Sequence, residues 1–234
     1  MSRYYTGQHA QFYNLRWHSF TERTLAETVS MIDVAQLQNI FSQQGRPPRV
    51  LDVACGTGVL LKMLFKQIPA MEGYGMDASA DMLAQARLAL ANQPHVQLHQ
   101  AMLGNDETAN LPYTPQSFDL ITCTNALHDV SNPVQALAEL RKLLVPEGQL
   151  VVEDYAPHGP PFLWALLEWL IRHIEEGEVQ AYRLSEAKSL CVKAGFCVLR
   201  EQAFTLNWLW HGWALCLSVA HNSIPQQNED EEKR

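Results

Sequence analysis

The sequence predicts an α/β fold, a doubly wound and mostly parallel sheet, and three observations carry that prediction. Short apolar runs of strand length, at residues 50–53, 118–123 and 150–155, alternate with stretches whose apolar side chains recur at helical spacing. The first run passes through a tight glycine turn, Gly56-Thr57-Gly58, straight into such a helical stretch. The chain has 234 residues with a 47% hydrophobic share, enough for one well-buried domain of this type.

The elements follow in order. Residues 1–20 are aromatic and polar, with Tyr4, Tyr5, Phe12, Tyr13, Arg16 and Trp17, which suits neither a core strand nor a disordered tail. Residues 21–44 read as one long helix, with Thr21 as its N-cap, Leu25, Val29, Ile32, Leu37 and Ile40 as its apolar face, and Gly45 as its stop. The glycine-turn helix is closed by Pro69, and residues 73–77 form a short strand ending in Asp77. Residues 79–90 are a helix rich in Ala and Leu, with Asp81 in its first turn. Strands at 95–100 and 117–123 follow, then a helix at 133–144, a turn at 146–149 and a strand at 150–155. A further helix at 184–194 stops at Gly195, and two strands at 196–206 and 213–220 make a hairpin. Residues 225–234 are an acidic, solvated tail.

The glycine turn invites a nucleotide-type ligand, because Gly56 and Gly58 let backbone approach where a Cβ would collide. A dinucleotide fingerprint needs a third glycine, and Val59 stands in its place. A phosphate-binding loop needs Gly-Lys-Ser/Thr, and no such triplet occurs. Asp52 sets a carboxylate beside the turn instead. Asp77 lies about 20 residues beyond it, where α/β folds place an acid on a ribose diol. Its two oxygens match the two hydroxyl donors of a diol.

The run Asp52-Val53-Ala54-Cys55-Gly56-Thr57-Gly58 resembles the first motif of class I S-adenosylmethionine-dependent methyltransferases. Gly75-Met76-Asp77-Ala78-Ser79 with Met82, Ser117-Phe118-Asp119, Leu127-His128-Asp129-Val130 and the Pro146-Glu147-Gly148 strand start are similar to that family too, in a UbiE/MenG-like motif set of the small-molecule type. The resemblance is strong over about residues 48–155. It implies a Rossmann-like, seven-stranded sheet, mostly parallel, with an antiparallel C-terminal hairpin strand. It also implies one domain over 1–224: an N-terminal lid and helix (1–45), a cofactor core (48–155), and cap helices with the hairpin (156–224).

The cofactor so implied is S-adenosyl-L-methionine, whose cationic methionine part explains an acid at Asp52. Its contacts would be Asp52, Ala54, Gly56 and Gly58 at the turn, Asp77 on the ribose with Ala78 beside it, Met82 on the adenine, and Asn125 at the end of the fourth strand. Met102 offers a backbone N–H to the adenine, because the family's usual acid is absent where residues 103–108 look inserted, leaving Asn105 or Asp106 to replace it. Tyr13 and Arg16 belong either to a lid over cofactor and substrate or to surface helix packing.

His128, Asp154 and Tyr155 fall at strand ends on the substrate side, as does Glu153. His128 either orients or deprotonates a methyl acceptor, or it packs to fix its loop. Trp164 and Trp169, in the stretch 162–171, are core, a wall for an apolar or aromatic acceptor, or a membrane-surface face. The implied function is in-line methyl transfer to such a small acceptor, where positioning supplies much of the rate. A non-catalytic cofactor-binding module and an NAD-linked oxidoreductase are the alternatives.

The formal net charge of −8, with no Lys/Arg run, excludes a general nucleic-acid binder. The five cysteines are odd in number and lack metal-ligand spacing, so they read as buried, reduced thiols of a cytoplasmic protein with no metal. No apolar leader follows Met1, and no stretch is long and uncharged enough to span a membrane.

Overall fold

The computed structural model describes residues 5–104, 111–156, 180–206 and 210–220. Seven strands form one sheet: β1 (Arg49–Val53), β2 (Glu72–Asp77), β3 (Val96–Gln100), β4 (Phe118–Thr124), β5 (Leu144–Ala156), β6 (Phe196–Thr205) and β7 (His211–Val219). Their order is β3-β2-β1-β4-β5-β7-β6. The pairs β2–β1, β2–β3, β1–β4 and β4–β5 are parallel, and β7 runs antiparallel to both β5 and β6. The expected seven-stranded, Rossmann-like sheet is therefore present, with β7 as its reversed strand.

Alternation along the strands divides the core in two. Leu51, Val53, Ile121, Cys123, Leu150 and Val152 join one apolar cluster with α5 (Pro133–Leu143) and α6 (Leu184–Lys193). Val50, Leu120 and Val151 join the other, with α2 (Val34–Gln44) and α3 (Val59–Gln67). The register pairs Asp52 with Thr122 and Thr124 with Glu153. These four polar residues thus lie on the second face, near the carboxyl ends of the strands.

Helix starts obey local chemistry. Ser79 caps α4 (Ala80–Ala89) by accepting from the Met82 amide, and Asn132 caps α5 from Gln135, with Pro133 in the first turn. At the opposite end of the sheet, Arg46 grips Asp119 through two bonds of 2.7 Å, and the Arg49 amide adds a third. That bidentate clamp ties the start of β1 to β4, away from the strand ends that carry the site.

The N-terminal prediction needs correction. Instead of one helix over 21–44, α1 spans Gly7–Ser30 and α2 begins at Val34. The break falls at Asp33, whose side chain accepts from the Gln36 amide while its own amide donates to Gln149 Oε1. A local cap plus a tertiary bond to β5 outweighs continuing the helix. Cys197 is also a correction: it is exposed, whereas Cys55, Cys123, Cys191 and Cys216 are buried, and all five are free thiols. Cys197 follows Phe196 on β6, the edge strand, most of whose residues are exposed.

The adenine substitutes Asn105 and Asp106, the Trp164/Trp169 stretch and the tail fall outside the described residues. Among the described residues, no helix is long and apolar enough to cross a membrane.

Candidate functional site

The glycine turn is built from backbone that only certain residues tolerate. Ala54, Gly56 and Gly58 have φ values of +55°, +52° and +76°. Gly58 serves as the N-cap of α3, and a Cβ there would sit 2.8 Å from Leu90 Cδ1. Its glycine is thus demanded both by the turn and by the packing of α3 against α4. The requirement at Gly56 is different. Its added Cβ would meet only Met82 Cε, at 3.5 Å, so the space beside it is open enough for a ligand.

Asp77 organises this turn. Its Oδ2 accepts from the Gly56 amide at 2.9 Å and its Oδ1 from the Ser79 amide at 2.8 Å. One carboxylate thereby fixes the glycine turn against the start of α4, and its remaining lone pairs stay available to a diol. Burial raises its pKa, and the two amides oppose that rise. Asp52 lies deeper, hydrogen-bonded to Thr122 Oγ1 at 2.8 Å. Desolvation lifts its pKa to about 7, with the Thr122 bond opposing and the charge of Asp77 adding. Two acids therefore flank the turn, and among the described residues no cationic side chain pairs with either, a setting that favours a cationic, phosphate-free ligand.

Helix α1 runs across the carboxyl ends of the strands. The Gly7 amide donates to Asp81, Ser79 Oγ donates to the Tyr5 carbonyl, and Thr57 Oγ1 donates to Asn14 at 2.7 Å. Further along, Asn125 Nδ2 donates to Thr24 and Thr28 meets Thr124. Tyr13 and Arg16 lie on this helix, Tyr13 with its ring 6.2 Å from Tyr5, and Arg16 exposed, 6.0 Å from the Trp17 ring. Met82 is buried under the turn and Met102 is half-exposed. The Ala78 carbonyl accepts from Gln100.

Asn125 closes β4 in the left-handed region, at φ +50°, a conformation Asn tolerates better than most residues. Its amide donates to the Glu153 carbonyl, and its Oδ1 is buried with no hydrogen-bond partner among the described residues. That orphaned acceptor, the two acids and the open space at Gly56 fit S-adenosylmethionine, which presents an ammonium, a sulfonium and a ribose diol.

The other half of the mouth holds a second group. His128 is buried in a short 3-10 turn (Leu127–Asp129). Asp154 accepts from the His128 backbone amide at 3.0 Å and from its Nδ1 at 2.8 Å. A carboxylate only accepts, so Nδ1 carries the hydrogen, and Nε2, 3.7 Å from Asp129 Oδ2, has a lone pair when the ring is neutral. The Tyr155 ring lies 4.6 Å from His128 and 5.4 Å from Trp210, and Trp210 lies 6.2 Å from Phe20 of α1. The structure therefore brings His128, Asp154 and Tyr155 together.

Comparison with known proteins decides the family. A model described as "Methyltransferase domain" matches residues 51–150. The demethylmenaquinone methyltransferase of Deinococcus radiodurans is 33% identical over 129 residues, 55% of this chain and 52% of the relative, so that match spans about half the relative's length. The enzyme of the same name from Thermus thermophilus is 32% identical over 175 residues, 66% of this chain and 77% of the relative.

The chain belongs to the S-adenosylmethionine-dependent methyltransferases.

Its cofactor is S-adenosylmethionine. The fold likeness extends to a Haemonchus contortus phosphoethanolamine-type N-methyltransferase in complex with S-adenosylhomocysteine. That structure has a TM-score of 0.59 at 14% identity and covers 80% of this chain and 52% of the other.

Sequence reasoning missed the polar residues by which α1 seats on this methyltransferase's strand ends, Asn14, Thr24 and Thr28. Their spacing is helical, but with the helix start misplaced at Thr21, no signal marked that face. Trp210 was not among the expected site residues, since its partner Phe20 is 190 residues away in sequence.

Proposed function

We propose that this methyltransferase acts on a small aromatic acceptor of the reduced-quinone type, by in-line transfer. The supporting observation is the cluster of His128, Tyr155, Trp210 and Phe20, with Asp154 bonded to the histidine, in a sheet whose β5 is separated from the glycine-turn strand β1 only by β4. Aromatic faces suit a flat acceptor ring. Two relatives carry the name demethylmenaquinone methyltransferase, and another, from Thermosynechococcus vestitus, carries the name 2-phytyl-1,4-naphtoquinone methyltransferase.

Each residue has a distinct role. Asp77, the turn at Ala54, Gly56 and Gly58, and neighbouring Ala78, Met82 and Met102 hold the adenosyl part. Asp52 and Asn125 hold the methionine end, and Tyr13 and Arg16 on α1 cover it. Bound S-adenosylmethionine supplies a methyl group already activated on sulfur. His128 Nε2 then accepts the proton that an acceptor hydroxyl gives up as its oxygen or ring carbon becomes nucleophilic. Asp154 is a positioning residue that fixes the ring and its tautomer, and Tyr155 stacks beside it.

The test is transfer of labelled methyl from S-adenosylmethionine to 1,4-dihydroxynaphthalene under anaerobic conditions. Labelled product is expected with the native chain, and turnover should fall about 10²–10⁴-fold in His128→Gln, the range for losing a general base. Full activity in His128→Gln with an unchanged pH profile would remove the histidine from the chemistry.

A further inference from the structure

Glu153 is unexplained by the roles above. It sits at the carboxyl end of β5, one residue before the histidine's partner, yet alternation turns it to the opposite face, under α1. It has 0% exposure, and among the described residues both carboxyl oxygens lack a hydrogen-bond partner. Burying a carboxyl without partners costs several kcal/mol in order of magnitude, so such a group calls for an explanation.

Among the described residues, the neighbouring hydroxyls do not supply a partner. A hydroxyl has a single hydrogen. Thr24 donates to the Thr21 carbonyl and Thr28 to the Thr24 carbonyl, so Thr124 must donate to Thr28. Asn125 spends an amide hydrogen on Thr24. The polar layer under α1 therefore has its hydroxyl donors committed while the carboxyl of Glu153 is left over. Desolvation pushes its pKa well up, and the like charges of Asp154 and Glu27 add to that rise.

The position is next to the aromatic cluster. Phe20, which meets Trp210, is one helical turn from Thr24 on α1, and Tyr155 is two residues from Glu153 on β5. By period 3.6 on the helix and period 2 on the strand, each pair shares a face. The aromatic side chains thus share element faces with a carboxyl whose oxygens no described hydroxyl serves. A flat ring carrying hydroxyl groups meets both requirements at once. Glu153 is fully buried, so a ligand reaches it only if α1 parts from the strand ends. That helix is held here by polar contacts, Asn14–Thr57, Thr24–Asn125 and Thr28–Thr124, whose parting leaves groups that water can solvate.

We propose that Glu153 is an acceptor-recognition residue: its buried carboxyl takes a hydrogen bond from a ring hydroxyl of a dihydroxy-aromatic methyl acceptor. This rests on the aromatic-acceptor reading and assigns the group that selects for the hydroxyl. No proton or bond changes hands at Glu153.

The experiment measures binding of 1,4-dihydroxynaphthalene and 1,4-dimethoxynaphthalene to the chain saturated with S-adenosylhomocysteine, by anaerobic calorimetry. The diol should bind at least about tenfold tighter than its diether, which has the ring but no donor. In Glu153→Leu that preference should shrink to within about twofold while S-adenosylhomocysteine affinity holds, because leucine fills the site without accepting. Glu153→Gln, which keeps an acceptor oxygen and the volume, should retain part of the preference and covers the case of a leucine variant that does not fold.

Equal binding of diol and diether to the native chain overturns the proposal, as does an undiminished preference in both variants. A parallel loss of S-adenosylhomocysteine affinity overturns it too, by giving Glu153 to the cofactor. Binding of neither naphthalene defeats the aromatic-acceptor reading itself, and this proposal with it.

Discussion

At the scale of single residues, the site is a set of acids placed where water cannot reach them well. Asp52 is the clearest case. Its folded pKa of about 7 stands above the ordinary carboxylate value because of desolvation. The unfolded chain therefore loses this proton first, and between about pH 4 and 7 the native state binds more protons. The stability contribution of neutral Asp52 is full below about pH 4 and is lost as pH rises through about 7. A cationic ligand reverses the preference by favouring the anion. Binding of S-adenosylmethionine at pH 6 should accordingly release a proton, and at pH 8 it should not. Calorimetry in buffers of different ionisation enthalpy measures this, and Asp52→Asn should abolish it. Proton release that persists in Asp52→Asn would assign it to another group.

Much of this half was legible in the chain itself. Asp52, Gly56, Gly58 and Asp77 lie close together in sequence, and local spacing is what sequence patterns record. That Asp77 also fixes the Gly56 amide was not legible, because a hydrogen bond across 21 residues depends on how β1 and β2 pair. The polarity of Glu153 was visible, but its burial was not. Strand alternation gives two faces without saying that α1 covers one of them.

At the scale of elements, α1 and the α3–α4 pair carry the account. Asn14→Ala removes the bond to Thr57 that pins α1 over the glycine turn. It should loosen α1 without unfolding the sheet: amide exchange over residues 7–20 should speed up, S-adenosylhomocysteine affinity should fall, and the melting temperature should barely move. Unchanged exchange would show that α1 is seated by its other contacts. Gly58→Ala tests the opposite kind of joint. The new Cβ meets Leu90 at 2.8 Å in a backbone with φ +76°, so a loss of about 1–3 kcal/mol in stability is expected from denaturant unfolding.

Elements with both local periodicity and local caps were predicted well, as α4 with Ser79 and α5 with Asn132 show. The α1–α2 boundary was not. Residues 21–44 keep a helical apolar period throughout, and the interruption comes from Asp33 and its bond to Gln149, 116 residues away. Tertiary contacts set that boundary, and periodicity alone cannot see them.

At the scale of the whole molecule, the sheet order places two chemistries along one edge. The β1–β2 side presents the glycine turn and Asp77, and the β4–β5 side presents His128, Asp154, Tyr155 and Glu153. This is the crevice beyond the carboxyl ends of the strands, where open α/β sheets bind ligands. The central claim is a division of labour: cofactor on the first side, acceptor on the second. It is tested most directly by calorimetric titration of S-adenosylhomocysteine into the native chain, Asp77→Ala and His128→Gln. The account predicts that Asp77→Ala weakens binding by about 1.5–3 kcal/mol, as for a lost hydrogen bond to a charged group, while His128→Gln binds as the native chain does. Native affinity in Asp77→Ala, or an equal loss in His128→Gln, would contradict it.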